Sequence, residues 1–262
     1  MPRPLALLSN DDGYDSRGLH ALREALLREW DVVVVAPEHE QSASSHALSL
    51  RDPLRLRKVS EGIHAVTGTP ADCVYVALHA GTRLLPRTPD IVLSGMNLGL
   101  NLGQDVFYSG TVAAAREAAL RGVPSLATST HTTLDMSRVA DACVRLAHAL
   151  LADHTLDPRP VLLSANFPKA WKGGVRATSL GRRIYEEKVD FRSDPYGRDY
   201  LWLGGPGVRH HDSQGTDTAA HDEHVASVTP LLLDLTAHAE LPVASRIVLA
   251  ATSLPMHEKS HP

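Results

Sequence analysis

Two adjacent carboxylates, Asp11 and Asp12, follow a short apolar run near the start of the sequence. Neighbouring carboxylates repel each other unless a cation neutralises them, and oxygen ligands of this kind suit a hard divalent ion such as Mg²⁺ or Mn²⁺. The same residues also suit a helix cap at Asp11 followed by a turn at Asp12 and Gly13. On this segment alone, a metal site and a capped turn are equally good interpretations.

Glycine and asparagine are concentrated in residues 94–103, directly after the predicted strand 90–93. Such a loop lets backbone N–H groups approach a ligand, and the side-chain oxygens of Asn97 and Asn101 can complete a metal shell. The segment lacks the Gly-Lys-Ser/Thr ending of a Walker loop and does not match the dinucleotide-binding fingerprint. Many such loops are plain turns, so the segment by itself is weak evidence for a ligand.

Residues 108–111, Tyr-Ser-Gly-Thr, lead directly into an alanine-rich stretch, 112–121, that is typical of a helix. The N-terminus of a helix has free N–H groups and a partial positive charge, and it therefore binds anions. The hydroxyls of Ser109 and Thr111 beside Gly110 suit a phosphate at that place. An ordinary helix cap at Ser109 explains the same residues and, for this segment alone, is the simpler interpretation.

A serine-rich loop, 42–45, follows a run of four valines and precedes His46. Serines are common in loops, so this segment alone indicates little. The co-occurrence of these segments is informative, because carboxylates, asparagines, a helix N-terminus and a serine loop all follow strands of one inferred sheet. Ligands of open α/β sheets bind beyond the carboxyl ends of the strands. The sequence therefore predicts a combined site for a metal ion and a phosphate at that edge.

The sheet itself is inferred from short apolar runs that alternate with longer amphipathic ones. Four consecutive valines, 32–35, are typical of a strand buried on both faces, and Leu19, Leu22 and Leu26 recur at helical spacing. This alternation predicts a three-layer α/β fold, in which a mostly parallel sheet has helices on both faces. The predicted strands span 4–9, 31–37, 90–93, 125–128 and 161–164, and the predicted helices span 18–30, 71–80, 111–121 and 139–151.

Two regions depart from this alternation. Residues 46–66 alternate apolar and polar side chains, which predicts extended excursions between the layers. Residues 172–236 are polar and rich in glycine, with strand-like pieces at 200–203 and 225–228, which predicts a C-terminal appendage that bears a β-hairpin. We therefore expect a single α/β domain over 1–262, with a core at about 1–170, the appendage at about 171–236 and a tail at 237–262.

The composition limits partners and location. The 262 residues include 26 Lys and Arg against 30 Asp and Glu, and this mildly acidic balance argues against a nucleic acid polymer as partner. The apolar run 5–8 meets Asp11 too soon for a signal peptide, and no stretch approaches the ~20 apolar residues that span a bilayer. Cys73 and Cys143 lie in apolar, helical-looking stretches, which predicts core packing in a reducing compartment. We expect a cytoplasmic protein with no membrane association.

The fifteen histidines raise the question of a second metal site, above all at His210, His211, His221 and His224. Their region is polar and rich in loops, and no predicted helix places two of them on one face. The sequence therefore favours solvated loop side chains over metal ligands at these four positions.

Taken in order, the motifs resemble the SurE (stationary-phase survival protein) family of metal-dependent nucleoside-monophosphate phosphatases. The resemblance spans nearly the whole chain and rests on SNDDG, APEHEQS, GTPADCV, SGMNLGLNLG, YSGTVAAAREAA, GTD and VASVTPLLLDLT. It implies a Rossmann-like α/β fold, an exchanged C-terminal extension, and assembly as a homodimer or homotetramer. The activity that it implies is hydrolysis of nucleoside 5′- and 3′-monophosphates to nucleoside and phosphate, with some action on short-chain polyphosphate.

The resemblance also implies roles for single residues. One divalent metal ion, Mg²⁺ or Mn²⁺, would be held by Asp11, Asp12, Ser42 and Asn97. Asn101 and the turn Ser109-Gly110-Thr111 would hold the substrate phosphate. Many relatives have an asparagine where this chain has His46, and because an imidazole is not equivalent to an amide, the role of His46 stays open. The tail at 241–262 has no counterpart in the family pattern.

The predicted reaction is attack of water on a phosphate monoester. The metal would polarise the phosphoryl oxygens and lower the pKa of a bound water, and Asp11 or Asp12 would orient that water or accept its proton. Two alternatives belong to other classes: a receiver-type signalling module and a non-catalytic nucleotide-binding protein. The first needs a lone Asp at the end of a later strand and a distant Lys, and Asp90 instead begins its strand. Phosphate release from AMP, with and without Mn²⁺, separates the three.

Overall fold

The computed structural model of the chain describes residues 3–153, 161–186, 188–204, 207–211 and 213–252. In these residues, apolar runs form strands and amphipathic segments form helices, as in other α/β proteins. The helices are α1 (Arg17–Leu27), α2 (Pro70–His79), α3 (Gly110–Leu120), α4 (Met136–Ala152), α5 (Asp217–Asp222) and α6 (Leu241–Thr252). The strands are β1 (Leu5–Ser9), β2 (Asp31–Pro37), β3 (Leu56–Ser60), β4 (Ile63–Val66), β5 (Ile91–Leu98), β6 (Ser125–Thr130), β7 (Leu162–Phe167), β8 (Val175–Ala177), β9 (Arg183–Tyr185), β10 (Val189–Ser193), β11 (Asp199–Leu203), β12 (Val208–His210) and β13 (Ala226–Leu231).

A nine-stranded sheet forms the centre of the molecule, in the order β3-β4-β2-β1-β5-β6-β7-β13-β8. The neighbours from β4 to β7 are all parallel. The outer strand β3 is antiparallel to β4, and β13 is antiparallel to β7. The prediction of a mostly parallel α/β sheet is therefore confirmed. All the parallel strands end at one edge of the sheet, and that edge collects the segments that follow them.

Apolar residues cover both faces of this sheet. All five residues of β1 are buried, because this strand lies in the middle of the sheet with helices on either side. On one face, Leu22, Leu26 and Cys143 belong to one apolar cluster. On the other face, Cys73 and Ala114 belong to a second cluster. Burying one such leucine stabilises the fold by about 1.5–3 kcal/mol. Both cysteines are buried and free, as the sequence predicts.

Two segments differ from the sequence-based expectations. Strand β5 continues to Leu98, so Asn97 lies at a strand end and the irregular loop begins later than expected. Residues 56–66 form β3 and β4 at the edge of the sheet, and do not run between the layers. The sequence signal was ambiguous there because alternation fits an edge strand and an extended loop equally well.

The predicted appendage is divided between the sheet and two smaller ladders. Strands β8 and β13 extend the central sheet. Strands β10 and β11 form an antiparallel hairpin, and β9 pairs with β12. The second ladder is important for the site, because it carries side chains toward the carboxyl edge of the sheet.

The chain divides into two compact units, Met1–Leu231 and Leu232–Pro262. In the second unit, a short 3₁₀ helix, His238–Glu240, precedes α6. Residues 253–262 of the predicted tail lie outside the described residues. In the part of the chain that the structure describes, every helix is too short or too polar to span a bilayer.

Candidate active site

A cavity of about 310 Å³ opens at the carboxyl edge of the parallel strands. Its lining includes five of the eight predicted site residues: Asp11, Ser42, Asn97, Asn101 and Ser109. These residues come from the segments that follow β1 and β2, from the end of β5 and the loop after it, and from the residue before α3. The fold therefore brings together positions that are up to 98 residues apart in the sequence, between Asp11 and Ser109.

Asp11 lies just beyond β1 and is buried, with 6% of its surface exposed. Its carboxylate accepts a hydrogen bond from the Thr111 hydroxyl at the start of α3. Its carbonyl accepts one from the N–H of Gln41 at 2.7 Å, which fixes the serine loop against it. Burial raises the pKa of Asp11 above its ordinary value, although the hydrogen bonds from Thr111 act in the opposite direction. A nearby cation would stabilise the ionised form of this buried carboxylate.

Asp12 is the second carboxylate of the pair. Its Oδ2 accepts a hydrogen bond from the N–H of Leu98 at 3.3 Å, so it touches the end of β5. Burial first, and then repulsion by Asp11, raise the pKa of Asp12 to about 6. Among the described residues, no lysine or arginine forms an ion pair with either carboxylate. The negative charge of the pair is therefore not neutralised by a cationic side chain among the described residues, and a bound metal ion would neutralise it.

Ser42 and Asn97 supply neutral oxygens to the same cavity. The Ser42 hydroxyl donates to Glu40 Oε1 at 2.6 Å, which leaves lone pairs of the Ser42 oxygen for another partner. The Asn97 amide nitrogen donates to the carbonyl of Gly99 at 2.6 Å, so Oδ1 is the atom that can face a cation. Two carboxylates, an amide oxygen and a hydroxyl form a hard, all-oxygen donor set, and this chemistry fits Mg²⁺ or Mn²⁺.

The N-terminus of α3 forms the other side of the cavity. Ser109 caps the helix by accepting the N–H of Val112 at 3.1 Å, so its hydroxyl hydrogen can point to a ligand. A Cβ atom on Gly110 would lie 2.8 Å from Ser44 Oγ and 2.9 Å from Asp11 Cβ, so only glycine allows this close approach. The Ser44 hydroxyl is buried without a hydrogen-bond partner among the described residues. The hydroxyls of Ser44 and Ser109 therefore lie at the positive end of the α3 dipole, where an anion would be stabilised.

Asn101 lines the cavity, but much of its polar capacity is used inside the protein. Its amide nitrogen donates to Ser129 Oγ at 2.8 Å, and its backbone N–H donates to Asn166 Oδ1 at 2.8 Å. These bonds tie the loop after β5 to β6 and β7. Asn101 therefore holds the loop in place, and the phosphate-binding role that the family resemblance implies for it stays a prediction.

His46 lies outside the cavity lining, among partners on the side of α3. Its Nε2 is 2.9 Å from Glu117 Oε2, and the other oxygen of Glu117 accepts a hydrogen bond from Arg121 at 2.9 Å. Burial would raise the pKa of Glu117, but the hydrogen bonds from His46 and Arg121 together lower it below its ordinary value. His46 therefore joins the serine loop to α3.

Sequence reasoning missed several residues of the cavity. Beside the cavity, Glu40 of the motif APEHEQS adds a negative charge that raises the pKa of both Asp11 and Asp12. Asp105 and Tyr108 border the cavity, and Arg183 and Tyr185 reach it from β9. Arg183 forms an ion pair with Asp105, and the Tyr185 hydroxyl donates to the same carboxylate at 2.6 Å. No local pattern connects a strand of the appendage with this edge, so these contacts require the folded structure.

Most of the chain is similar in sequence and in structure to known proteins of one family. The family model described as "Survival protein SurE" matches residues 6–187. The 5′-nucleotidase SurE of Sorangium cellulosum is 57% identical over 236 residues, covering 89% of this chain and 91% of the relative. The 5′-nucleotidase SurE of Geobacter metallireducens is 44% identical over 240 residues, covering 90% and 94%. The crystal structure of the SurE protein from Aquifex aeolicus superposes with a TM-score of 0.79 at 38% identity, covering 94% of this chain and all of that one.

Proposed function

The chain belongs to the SurE survival-protein family, and from this membership and the site we propose that it is a metal-dependent 5′-nucleotidase. It hydrolyses nucleoside 5′- and 3′-monophosphates to nucleoside and phosphate, and it also acts on short-chain polyphosphate. One observation supports this most directly: the acidic pair and the N-terminus of α3 are in contact, through the hydrogen bond from Thr111 to Asp11. The groups that suit a cation and those that suit a phosphate therefore form one site.

Asp11, Asp12, Ser42 and Asn97 would hold the cofactor, for which Mg²⁺ and Mn²⁺ are the best candidates. When bound, such an ion neutralises the two carboxylates, polarises the phosphoryl oxygens and makes water a better nucleophile near neutral pH. The protein's part is to keep the oxygens in place before the substrate arrives. The bonds from Gln41 to the Asp11 carbonyl and from Leu98 to Asp12 do this for the acidic pair.

The phosphate lies at the N-terminus of α3 in this proposal. Ser109 donates its hydroxyl to a phosphoryl oxygen, and the positive end of the α3 dipole stabilises the charge that builds up on these oxygens during attack. Gly110 lets this helix end pack directly against Asp11 and the serine loop, because a Cβ atom there would lie under 3.0 Å from Asp11 Cβ and Ser44 Oγ. Asp11 or Asp12 orients the attacking water and accepts its proton.

The nucleoside lies against the aromatic border of the cavity. Tyr108 and Tyr185 line it with rings that are 64% and 41% exposed. Base-aromatic stacking contributes about 1–3 kcal/mol per base and tolerates different bases. The ion pair between Arg183 and Asp105 keeps β9 beside the cavity, and thereby holds Tyr185 in position.

We also infer that the protein assembles as a homodimer or homotetramer. The hairpin of β10 and β11 exposes large apolar side chains, and Phe191 and Trp202 are 69% and 62% exposed. Exposed aromatic side chains on one hairpin are typical of a contact surface. The two free, buried cysteines fit a reducing compartment, and we therefore place the protein in the cytoplasm.

The proposal is tested by phosphate release from the purified full-length protein. The substrates are 5′-AMP, 3′-AMP and tripolyphosphate, each with Mg²⁺, with Mn²⁺ and after chelation with EDTA. We expect release that needs a divalent ion and returns when the ion is added back. AMP binding without phosphate release would instead support a non-catalytic nucleotide-binding protein. Full activity after chelation would exclude the metal-dependent reaction.

A further inference from the structure

A second group of metal-ligating side chains lies away from the active-site cavity. His210 Nδ1 is 2.9 Å from Asp222 Oδ1, and His221 Nδ1 is 2.9 Å from the same oxygen. One donor atom from each of the three residues falls within a group whose members are all within 4.8 Å of one another. The imidazole rings lie edge to face, with centroids 5.1 Å apart. Two imidazoles and a carboxylate thus converge on one point.

The burial of these side chains differs from the expectation of solvated loop histidines. The His210 side chain is 15% exposed and that of His221 is 32% exposed, whereas Asp222 is 51% exposed. The sequence did not predict that the two histidines meet, because they belong to different elements, the end of β12 and the end of α5. Asp222 also lines an adjacent cavity of about 290 Å³ with His211, Ser213 and Glu223. The group is therefore held by the fold on one side and open to a ligand on the other.

We propose that His210, His221 and Asp222 bind a divalent transition-metal ion of the Zn²⁺ type. Imidazole nitrogen is a preferred ligand of Zn²⁺, and two histidines with one carboxylate leave positions open for water. Ligand atoms about 2.1 Å from a tetrahedral ion lie about 3.4 Å apart. The nitrogen-oxygen separations of 2.9 Å need to widen only slightly. Binding replaces the protons that now lie between the imidazoles and the carboxylate.

This donor set differs from that of the active site. The active site offers oxygens alone, which favour hard ions, and the second site offers two nitrogens, which favour a borderline ion. A solution that contains Mg²⁺ in excess therefore leaves the second site free for Zn²⁺. The two sites are separable both by ion and by substitution.

The position of the second site indicates what the ion does. His210 pairs with Arg183 in the ladder of β12 and β9, and Arg183 lines the active-site cavity. Helix α5 begins with Asp217, whose carboxylate accepts the N–H groups of Gly103 and Gly181 at 2.8 and 2.6 Å. An ion bound between β12 and α5 therefore links the two elements and stabilises the ladder that carries Arg183 and Tyr185. Its role is structural, with no part in the chemical step.

The test is calorimetric titration of the full-length protein with Zn²⁺ in the presence of saturating Mg²⁺. We expect one binding event that is lost in His210→Asn and His221→Asn. An asparagine nitrogen can keep the hydrogen bond to Asp222 but does not replace an imidazole as a ligand, so these variants separate metal binding from hydrogen bonding. His211→Ala is the matched control, and it keeps the event. Asp11→Asn also keeps it, because the active site is elsewhere.

A second measurement uses Co²⁺ as a visible probe. We expect absorption bands of a nitrogen- and oxygen-ligated ion that disappear in His210→Asn and His221→Asn and persist in His211→Ala. Circular dichroism of each variant confirms the fold. An event that is absent from the wild type, or that survives in both asparagine variants, would overturn the proposal. The three residues would then form hydrogen bonds alone, and the proposed nucleotidase activity would be unaffected.

Discussion

The Thr111 hydroxyl donates a hydrogen bond to the Asp11 carboxylate, although 100 residues separate the two in the chain. Asp11 belongs to the acidic pair after β1, and Thr111 belongs to the first turn of α3. The bond therefore fixes the distance between the groups that suit a cation and the groups that suit a phosphate. Since a displacement of a fraction of an ångström weakens catalysis by positioned groups, this contact is the first to test.

Thr111→Val keeps the shape of the side chain and removes its hydroxyl. A hydrogen bond to a charged group contributes about 1.5–3 kcal/mol, so we expect kcat/KM for AMP to fall by about tenfold or more. Steady-state phosphate release measures this. Thr111→Ser retains the hydroxyl and is expected to keep most of the activity. Equal losses in both variants would indicate that packing of the methyl group matters and the hydrogen bond does not.

Asp11→Asn and Asp12→Asn each remove one negative charge from the acidic pair. We expect metal-dependent phosphate release to fall to background in both, because a neutral amide is a weaker ligand for a hard cation and a poor proton acceptor. Circular dichroism shows whether the fold is retained. Asp15→Asn, on the exposed part of the same loop, is the matched control with normal activity. Full activity in Asp11→Asn or Asp12→Asn would contradict the assigned site.

Gly110→Ala tests the space beside the helix N-terminus. The added Cβ would lie under 3.0 Å from Ser44 Oγ and from Asp11 Cβ, so we expect loss of most activity and a lower Tm. Gly174→Ala is the control, because the nearest atom to its Cβ, on Val225, is 3.8 Å away. A Gly110→Ala protein with normal KM and kcat would show that the close approach of this helix end to Asp11 and the serine loop is not needed for activity.

Tyr185→Leu removes one aromatic ring from the cavity border. If the base stacks there, the loss of about 1 kcal/mol raises KM for AMP about fivefold, whereas hydrolysis of tripolyphosphate, which has no base, stays unchanged. Tyr185→Phe removes the hydroxyl that donates to Asp105 and keeps the ring, so its KM for AMP is expected near the wild-type value. A parallel change for both substrates would argue against stacking on Tyr185.

Glu117 makes stability depend on pH in a defined direction. Its hydrogen bonds with His46 and Arg121 hold its pKa below the ordinary value of 4.5, so the ionised form stabilises the fold above that pH. This contribution is lost as the pH falls through the lowered pKa. We expect Glu117→Gln to be less stable by about 1–2 kcal/mol near neutral pH, with a difference from the wild type that shrinks in acid.

Thermal unfolding of both proteins across this pH range measures the effect of Glu117. The exposed Glu24 in α1 provides a control, since Glu24→Gln is expected to leave Tm unchanged. A difference between Glu117→Gln and the wild type that grows in acid would contradict the assigned sign.

The sequence by itself determined the order of the main elements of the parallel core and the residue types at the candidate site. Four consecutive valines marked β2 as a buried strand, and the confirmed sheet follows from that kind of local pattern. Asp11, Asn97 and Ser109 were singled out because they lie at or beyond the ends of parallel strands, which share one edge, whereas Ser42 was assigned only through the family resemblance. Residues that follow such strands must meet at that edge, whatever their separation in the chain.

The tertiary structure alone decided which distant side chains touch. No periodicity predicts that Arg183 and Tyr185 reach Asp105, or that Thr111 donates to Asp11. Nor does local spacing place His210 against His221, because one ends a strand and the other a helix. Hydrophobic pattern determines which face of an element is buried. The packing of whole elements against each other sets the positions of the polar side chains at their ends, and those positions govern the chemistry.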